Sequence, residues 1–488
     1  MKWIKQNQHW LFFVLGIILA FSIHLLNPFH LNSEASKAVS IAVLMIFWWI
    51  SEALPMPVVA LVPLVLQPIF KISSIEEVSK AYSNPVIFLF MGGFMIGLAI
   101  EKWNLHKRIA LTIVKKVGTS GDKIILGFII ATAFLSMWLS NTATAMMMFP
   151  IALSVIVVLK DHEQPNTSIQ NFSLVMMLVI AYASNFGGMA TIIGTPPNVA
   201  FIGFIEKKYG YTIQFIDWLL VCLPLVILLL IALYFVLNKW LYPSHIKNCS
   251  AVNNFIKSEL KNLGKLSKAE KRVTIIFCLT AFLWISKDLI NNFNLFKLDD
   301  NMIAILGAIA LFSISSGTKK NEKVIKLLEW SDTSKMAWGI LLLFGGGIAL
   351  ANSLEKVGVM NQLGNWLASF SNIGVIELVV FVVVISIFLS EVMSNVAQVI
   401  VLAPVLASLS DVLNLDPLIL GIPMTLAASA AAMMPMGTPP NAIVFSSGYI
   451  KLKDMLKAGF VMNIISIILI SLFCIYILPI VMSSLNQS

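Results

Sequence analysis

The sequence predicts an all-α polytopic membrane protein with about eleven transmembrane helices and two re-entrant hairpins, arranged as an inverted repeat. Three observations predict it. Of 488 residues, 58% are hydrophobic and 12% charged, with a mean hydropathy of +0.89, a balance that excludes an ordinary soluble chain. A glycine-bearing apolar run followed by an apolar segment with Ser-Asn at its centre occurs twice, 254 residues apart. The string Gly-Thr-Pro-Pro-Asn also occurs twice, at 194–198 and 437–441.

Runs long enough to cross roughly 30 Å of hydrocarbon lie near residues 10–26, 38–54, 56–70, 84–101, 173–205, 217–238, 273–290, 301–317, 336–354, 418–448 and 459–482. The first follows Lys2 and Lys5 and lacks a small-x-small cleavage site, so it reads as a retained span rather than a signal peptide. Two further apolar stretches, 124–159 and 374–410, are about twice the length of a half-depth dip. Each is interrupted by small polar residues and is expected to enter and return on one side. With the N-terminus inside, 25 of the 33 Lys and Arg fall on the cytoplasmic side, as the positive-inside rule requires. The C-terminus is then extracellular or periplasmic, and the protein belongs in the cell membrane. The net charge of +9 reads as topology, not as a nucleic-acid surface. The four cysteines are scattered without metal or redox spacing.

These runs divide the chain into N-terminal scaffold helices (1–83), a first repeat (84–242, with hairpin 124–159 and broken helix 173–205), a cytoplasmic linker with scaffold helices (243–335), and a second repeat (336–482, with hairpin 374–410 and broken helix 418–448). Phe90, Gly92, Gly93, Glu101 and Lys102 match Phe344, Gly346, Gly347, Glu355 and Lys356, and Ser136, Ser140, Asn141 and Pro150 match Ser390, Ser394, Asn395 and Pro404. An odd number of crossings separates the two glycine runs, so the repeats are expected to be inverted, an arrangement of secondary transporters. The segments Asn104–Lys123 and Gly358–Asn372 are expected to lie flat at opposite surfaces as arms.

A Pro-Pro pair in an apolar span removes two backbone donors and disfavours helix at the preceding Thr. Such backbone survives in hydrocarbon only where it is buried in protein or lines a wet cavity. Two identical breaks argue against a plain kink. At the hairpin centres, Ser140-Asn141-Thr142 and Ser394-Asn395-Val396 each follow a serine four residues earlier, Ser136 and Ser390, which stacks oxygens on one helical face. Carbonyls, hydroxyls and an Asn side chain together suit Na⁺. The chain has only two arginines, Arg108 and Arg272, both in cytoplasmic connections. An anion in the membrane must therefore rest on Asn, Thr and half-helix N-termini, neutral donors that offset its desolvation poorly. Co-bound cations would supply the balance. Glu391, beside Ser390, is expected either to shape its hairpin or to touch ligand. No His lies in a hairpin or a broken helix, which speaks against a proton relay or an intramembrane enzyme.

These features resemble the divalent anion/sodium symporter family, the solute carrier group that includes the INDY-type dicarboxylate carriers. The resemblance implies a homodimer whose transport unit moves like an elevator against a dimerised scaffold, with Na⁺ as coupling ion and no other cofactor. It implies a first sodium site at Ser136, Ser140, Asn141 and Gly194 and a second at Ser390, Met393, Asn395 and Gly437, with Met393 and Gly437 acting through carbonyls. The substrate residues it implies are Asn141, Thr142, Asn395, Thr195 and Thr438, with Pro196 and Pro439 close by. Val396 stands where the family pattern has Thr, so one hydroxyl is missing and recognition should lean on the first half. The expected activity is Na⁺-coupled import of a small divalent anion, a C4-dicarboxylate such as succinate, fumarate or malate. The alternatives are sulfate or another oxyanion, or dicarboxylate exchange without sodium.

Overall fold

A computed structural model of the chain describes residues 8–118, 120–162, 167–244, 246, 250–293, 297–320, 323–360, 362 and 374–480. It is helical almost throughout. Helices α1 (Gln8–Leu26) and α2 (Ser33–Ser51) form an antiparallel pair, joined by a turn in which Asn27 and His30 take positive φ. The stretch 56–70, expected as one crossing, is instead two short helices, α3 (Met56–Val59) and α4 (Val62–Ile69), with a proline in the first turn of each. Proline starts helices more readily than it continues them, so the segment bends at Ala60-Leu61.

A short α5 (Ile75–Ala81), closed by a Ser74–Glu77 capping box, leads into the first glycine helix, α6 (Pro85–Lys102). Then follow a surface helix α7 (Leu105–Val117), the two hairpin limbs α8 (Gly121–Ser136) and α9 (Asn141–His162), the two parts of the first broken helix, α10 (Thr167–Met189) and α11 (Pro196–Tyr209), and α12 (Phe215–Tyr234). The linker holds α13 (Ser250–Asn262), α14 (Lys268–Asn291), α15 (Asp300–Ser313) and an antiparallel pair, β1 (Ser315–Lys320) with β2 (Lys323–Lys326). The second half repeats the order: glycine helix α16 (Trp338–Lys356), limbs α17 (Val375–Ser390) and α18 (Asn395–Leu413), broken helix α19 (Pro417–Ala428) and α20 (Pro439–Phe445), and closing helix α21 (Leu452–Leu472). Most of the expected second arm, Gly358–Asn372, lies outside the described residues. Among the described residues, ten helices are long and apolar enough to cross a membrane. Two of these are the second hairpin limbs, α9 and α18.

The two glycine helices meet where the sequence pairs them. The rings of Phe90 and Phe344 pack edge to face at 5.4 Å. Lys102, at the end of α6, pairs at 2.6 Å with Asp332, just ahead of α16. Lys356, at the end of α16, pairs at 2.8 Å with Glu77, just ahead of α6. The helices therefore run antiparallel, each ending against the lead-in of the other. The second pair is exposed and the first half-buried; surface pairs contribute little energy, but both record the register.

α7 buries Leu105, His106, Ala110, Leu111 and Val114. Arg108 grips Glu270 through two nitrogens, at 2.7 and 3.2 Å, and donates to the carbonyls of Leu263 and Gly264. This fork fixes the surface helix to the linker. At the centre of the molecule, α10 is buried from Phe172 to Met189, so the first broken helix forms the core against which the site is built.

Candidate functional site

Both breaks are built alike. Thr195 (φ −142, ψ 139) and Thr438 (φ −143, ψ 151) are extended, and the Pro-Pro pair that follows opens α11 and α20. The prolines thus stand where a helix needs no donor. Unpaired carbonyls arise upstream instead, and the last residue of each motif closes them. The Asn198 amide donates to Thr191 O at 2.8 Å and to Gly188 O and Met189 O at 3.3 Å. The Asn441 amide donates to Met434 O at 3.1 Å and Ala431 O at 3.4 Å. Sequence reasoning assigned these two asparagines no task, although their repetition was a signal.

The first hairpin turns at Met137–Ser140, and its tip sits against the first break. Ser136 Oγ donates to Ser184 O at 2.7 Å. The Asn141 carboxamide faces Ser136 Oγ at 2.9 Å, Ser184 O at 3.0 Å and Gly194 O at 3.2 Å, with Thr195 Oγ1 at 3.4 Å on its other side. A nitrogen turned toward the three oxygens donates to Ser184 O, Gly194 O and Ser136 Oγ. An oxygen turned there completes a four-oxygen ring with a single proton, that of Ser136. Gly188 makes room, since a Cβ there would fall on the Asn141 carboxamide. Ser136, Asn141, Gly194 and Thr195 thus come together in a buried cluster, joined by the carbonyl of Ser184, which no side-chain motif could reveal. Ser140 does not join; its Oγ accepts from Ala143 N at 3.3 Å. Thr142 and Pro196 lie half-buried nearby in sequence.

The second tip is tied differently. Ser390 Oγ donates to Ala428 O at 2.5 Å, and Asn395 Oδ1 accepts from its own neighbour, Val396 N, at 2.9 Å. Met393 and Asn395 are half-buried, Val396 is buried and Pro439 is exposed. Val392 and Met436 are 60% and 73% exposed, so this tip is more open than the first. Glu391 holds it in place. The buried carboxylate accepts from Ala432 N and Asn463 Nδ2 at 2.9 and 2.7 Å, and from Met433 N and Met434 N at 2.8 Å. A Cβ on Gly437 would lie 3.0 Å from its Oε2. At the 254-residue offset its counterpart is Met137, whose carbonyl accepts from Thr191 Oγ1. One half therefore joins tip to break through a hydroxyl, the other through a carboxylate. α10 connects the halves, with Tyr182 Oη donating to Ala432 O at 2.7 Å and Asn185 Nδ2 to Thr438 Oγ1 at 3.0 Å.

None of the residues making these contacts is a Lys or Arg. Arg108 and Arg272 bond to the linker, the latter to Ser315 O. A cavity of about 390 Å³ lies apart from both tips, lined by Glu101, Lys102, Asp332 and Lys335 among others. Its walls carry both signs of charge and contain no residue of either cluster.

The chain is similar to known transporters in sequence and in fold. The chain is 40% identical over 485 residues to the sodium-dependent dicarboxylate transporter SdcS of Staphylococcus aureus (strain USA300), covering 97% of this chain and 93% of that one. It is 37% identical to SdcS of Staphylococcus saprophyticus, covering 96% and 91%. Among solved structures, the Alcanivorax borkumensis YdaH transporter superposes with a TM-score of 0.57 at 13% identity, over 82% of this chain and 87% of that one. Neisseria gonorrhoeae MtrF superposes with a TM-score of 0.54 at 12% identity, over 84% and 85%. These two share the fold. The family model for the sodium:sulfate symporter transmembrane region matches residues 6–483, and the chain therefore belongs to the divalent anion/sodium symporter family.

Proposed function

We propose that this chain imports small divalent anions together with Na⁺, with C4-dicarboxylates such as succinate, fumarate and malate as its substrates. The observation that carries this reading is the ring around Asn141: Ser136 Oγ, Ser184 O and Gly194 O converge on one carboxamide. With the Asn141 oxygen turned inward, three neutral oxygens lie within 3.2 Å of it, and the four together make a donor set suited to a hard monovalent cation. Ser390, Met393, Asn395 and Gly437 form the second sodium site on this reading, with Glu391 adding a negative charge beside it. The dianion rests on Asn141, Thr142, Thr195, Asn395 and Thr438, with Pro196, Pro439 and Val396 close by. Because these groups are neutral donors, bound cations offset the dianion's charge, which couples the two. The names of the staphylococcal relatives support the same substrate class.

The reciprocal pairs Lys102–Asp332 and Lys356–Glu77 support an inverted relation between 84–242 and 336–482. On this reading the hairpins and broken helices move as an elevator unit in the cell membrane, between a cytoplasmic N-terminus and an external C-terminus. The helices of 1–83 and 243–335 stay fixed in a homodimeric scaffold. The Arg108 fork to the linker suits a surface helix that belongs to the fixed part.

Uptake into proteoliposomes, with Na⁺, Li⁺ or K⁺ outside and labelled succinate or sulfate, tests the proposal. Succinate uptake should require Na⁺ and saturate. Equal uptake in K⁺ would refute coupling, and preference for sulfate would refute the substrate class. Val396→Thr restores a hydroxyl at the second tip with little change in volume. A hydrogen bond to a charged group contributes about 1.5–3 kcal/mol, so the succinate KM should fall roughly tenfold or more. An unchanged KM would place position 396 out of reach of the substrate.

A further inference from the structure

Asn185 lies in α10, outside both hairpin tips and both Gly-Thr-Pro-Pro-Asn motifs, and it is 2% exposed. Its Nδ2 donates across to the second half, to Thr438 Oγ1 at 3.0 Å and more weakly to Asn441 Oδ1 at 3.5 Å. Thr438 Oγ1 also accepts from the backbone of Asn441, at 3.4 Å, as the N-cap of α20. A hydroxyl has two lone pairs and one proton. Both lone pairs of Thr438 are thus taken by N–H groups, and its proton has no acceptor among the described residues. Thr195, the corresponding residue of the first half, makes no such cap bond.

We propose that Asn185 is a positioning residue that commits the Thr438 hydroxyl to donate toward the substrate anion, supplying in the second half the donor that Val396 lacks. This rests on the reading of the site as a dianion site. An uncommitted threonine hydroxyl rotates between donating and accepting; one whose lone pairs are filled can only donate, the polarity a carboxylate needs. The same saturation keeps Thr438 Oγ1 from coordinating a cation, so the side chain serves substrate and not Na⁺. Asn185 is also adjacent to Ser184, whose carbonyl belongs to the first cluster. Its Oδ1 is buried without a partner, so an apolar residue of similar size removes that orphan acceptor, which offsets part of the cost of taking a donor from Thr438 Oγ1 and Asn441 Oδ1.

The experiment compares Asn185→Leu, Asn185→Ala, Thr438→Val and the Asn185→Leu/Thr438→Val double variant with the parent protein in proteoliposomes. Thermal melting is followed with and without succinate. Asn185→Leu should raise the succinate KM about tenfold, the size of one lost hydrogen bond to a charged group. The maximal rate and the Na⁺ concentration for half-activation should stay near those of the parent. Thr438→Val should do the same, and the double variant should be no worse than the poorer single one. If Leu packs badly, Asn185→Ala should still show a smaller succinate-induced rise in melting temperature than the parent. A KM within twofold of the parent, single effects that multiply in the double variant, or a loss confined to maximal rate and melting temperature would overturn the proposal. Succinate uptake by the parent without Na⁺ would instead count against the coupling, and the KM comparison would still decide the role of Asn185.

Discussion

Glu391→Gln is expected to reduce the maximal rate of uptake about a hundredfold while leaving the protein folded. The carboxylate accepts from four N–H groups, three at Oε1 and one, from Met434, at Oε2. A carboxamide carries one acceptor and one donor end. With its oxygen at the Oε1 position, its NH₂ faces the Met434 N–H; reversed, it faces three donors. Either way at least one donor loses its partner, at about 1–3 kcal/mol, and the tip is held less firmly to residues 432–434. Since Gly437 lies against this carboxylate, the shift passes directly into the second sodium site proposed above. Glu391→Ala removes the acceptor from all four donors, of which Ala432 N alone keeps another partner, Asn463 Oδ1 at 3.1 Å, and it should lower the melting temperature well below that of Gln. Initial uptake rates at saturating Na⁺ and succinate, with melting curves in detergent, check both variants. Parent-like uptake by the Gln variant would mean that the clamp is dispensable.

Much of the fold was legible because apolar runs must satisfy their backbone internally, which in a bilayer leaves helices as the first choice. The long runs that became α12 and α14 needed no further information. Local chemistry misled at 56–70, where continuous hydrophobicity hid two helix starts marked by Pro57 and Pro63. The β1–β2 pair was invisible, since Ser315–Lys320 and Lys323–Lys326 lack the alternating pattern of a half-buried strand. In the site, residue types marked the location of each break but not its workings. Pro196 and Pro439 open helices rather than interrupt them. What Asn198 and Asn441 bind depends on the path of the chain ahead of them. Glu391 was suspect from its position alone, and four donors from two separate segments decide its task. Asn185 carries no motif, and the Ser184 carbonyl carries no side-chain signature at all. Backbone ligands and contacts between the two halves belong to tertiary structure, and sequence spacing does not encode them.

The matching Ser-Asn tips suggest equal work, yet Asn141→Ala should be far more damaging than Asn395→Ala. The carboxamide of Asn141 is buried against Ser136 Oγ, Ser184 O and Gly194 O, with Thr195 Oγ1 beyond. Its removal takes a side chain that joins hairpin limb, break and Thr195. Hydrogen bonds at about 1 kcal/mol each, or, with the oxygen inward as proposed, the loss of a cation ligand, predict roughly a hundredfold fall in Na⁺-driven uptake. The Na⁺ concentration for half-activation should rise as well. The oxygen of Asn395, by contrast, is bonded to its own Val396 N, and the residue is half-buried at the more open tip. Asn395→Ala should therefore cost about tenfold, mostly as a higher succinate KM, with a smaller shift in sodium activation. Sodium titrations of uptake at fixed succinate, and succinate titrations at fixed sodium, separate the two. Unaltered sodium dependence in both variants would contradict a site shared by cation and substrate. Equal losses would contradict the asymmetry that begins with Thr142 in one tip and Val396 in the other.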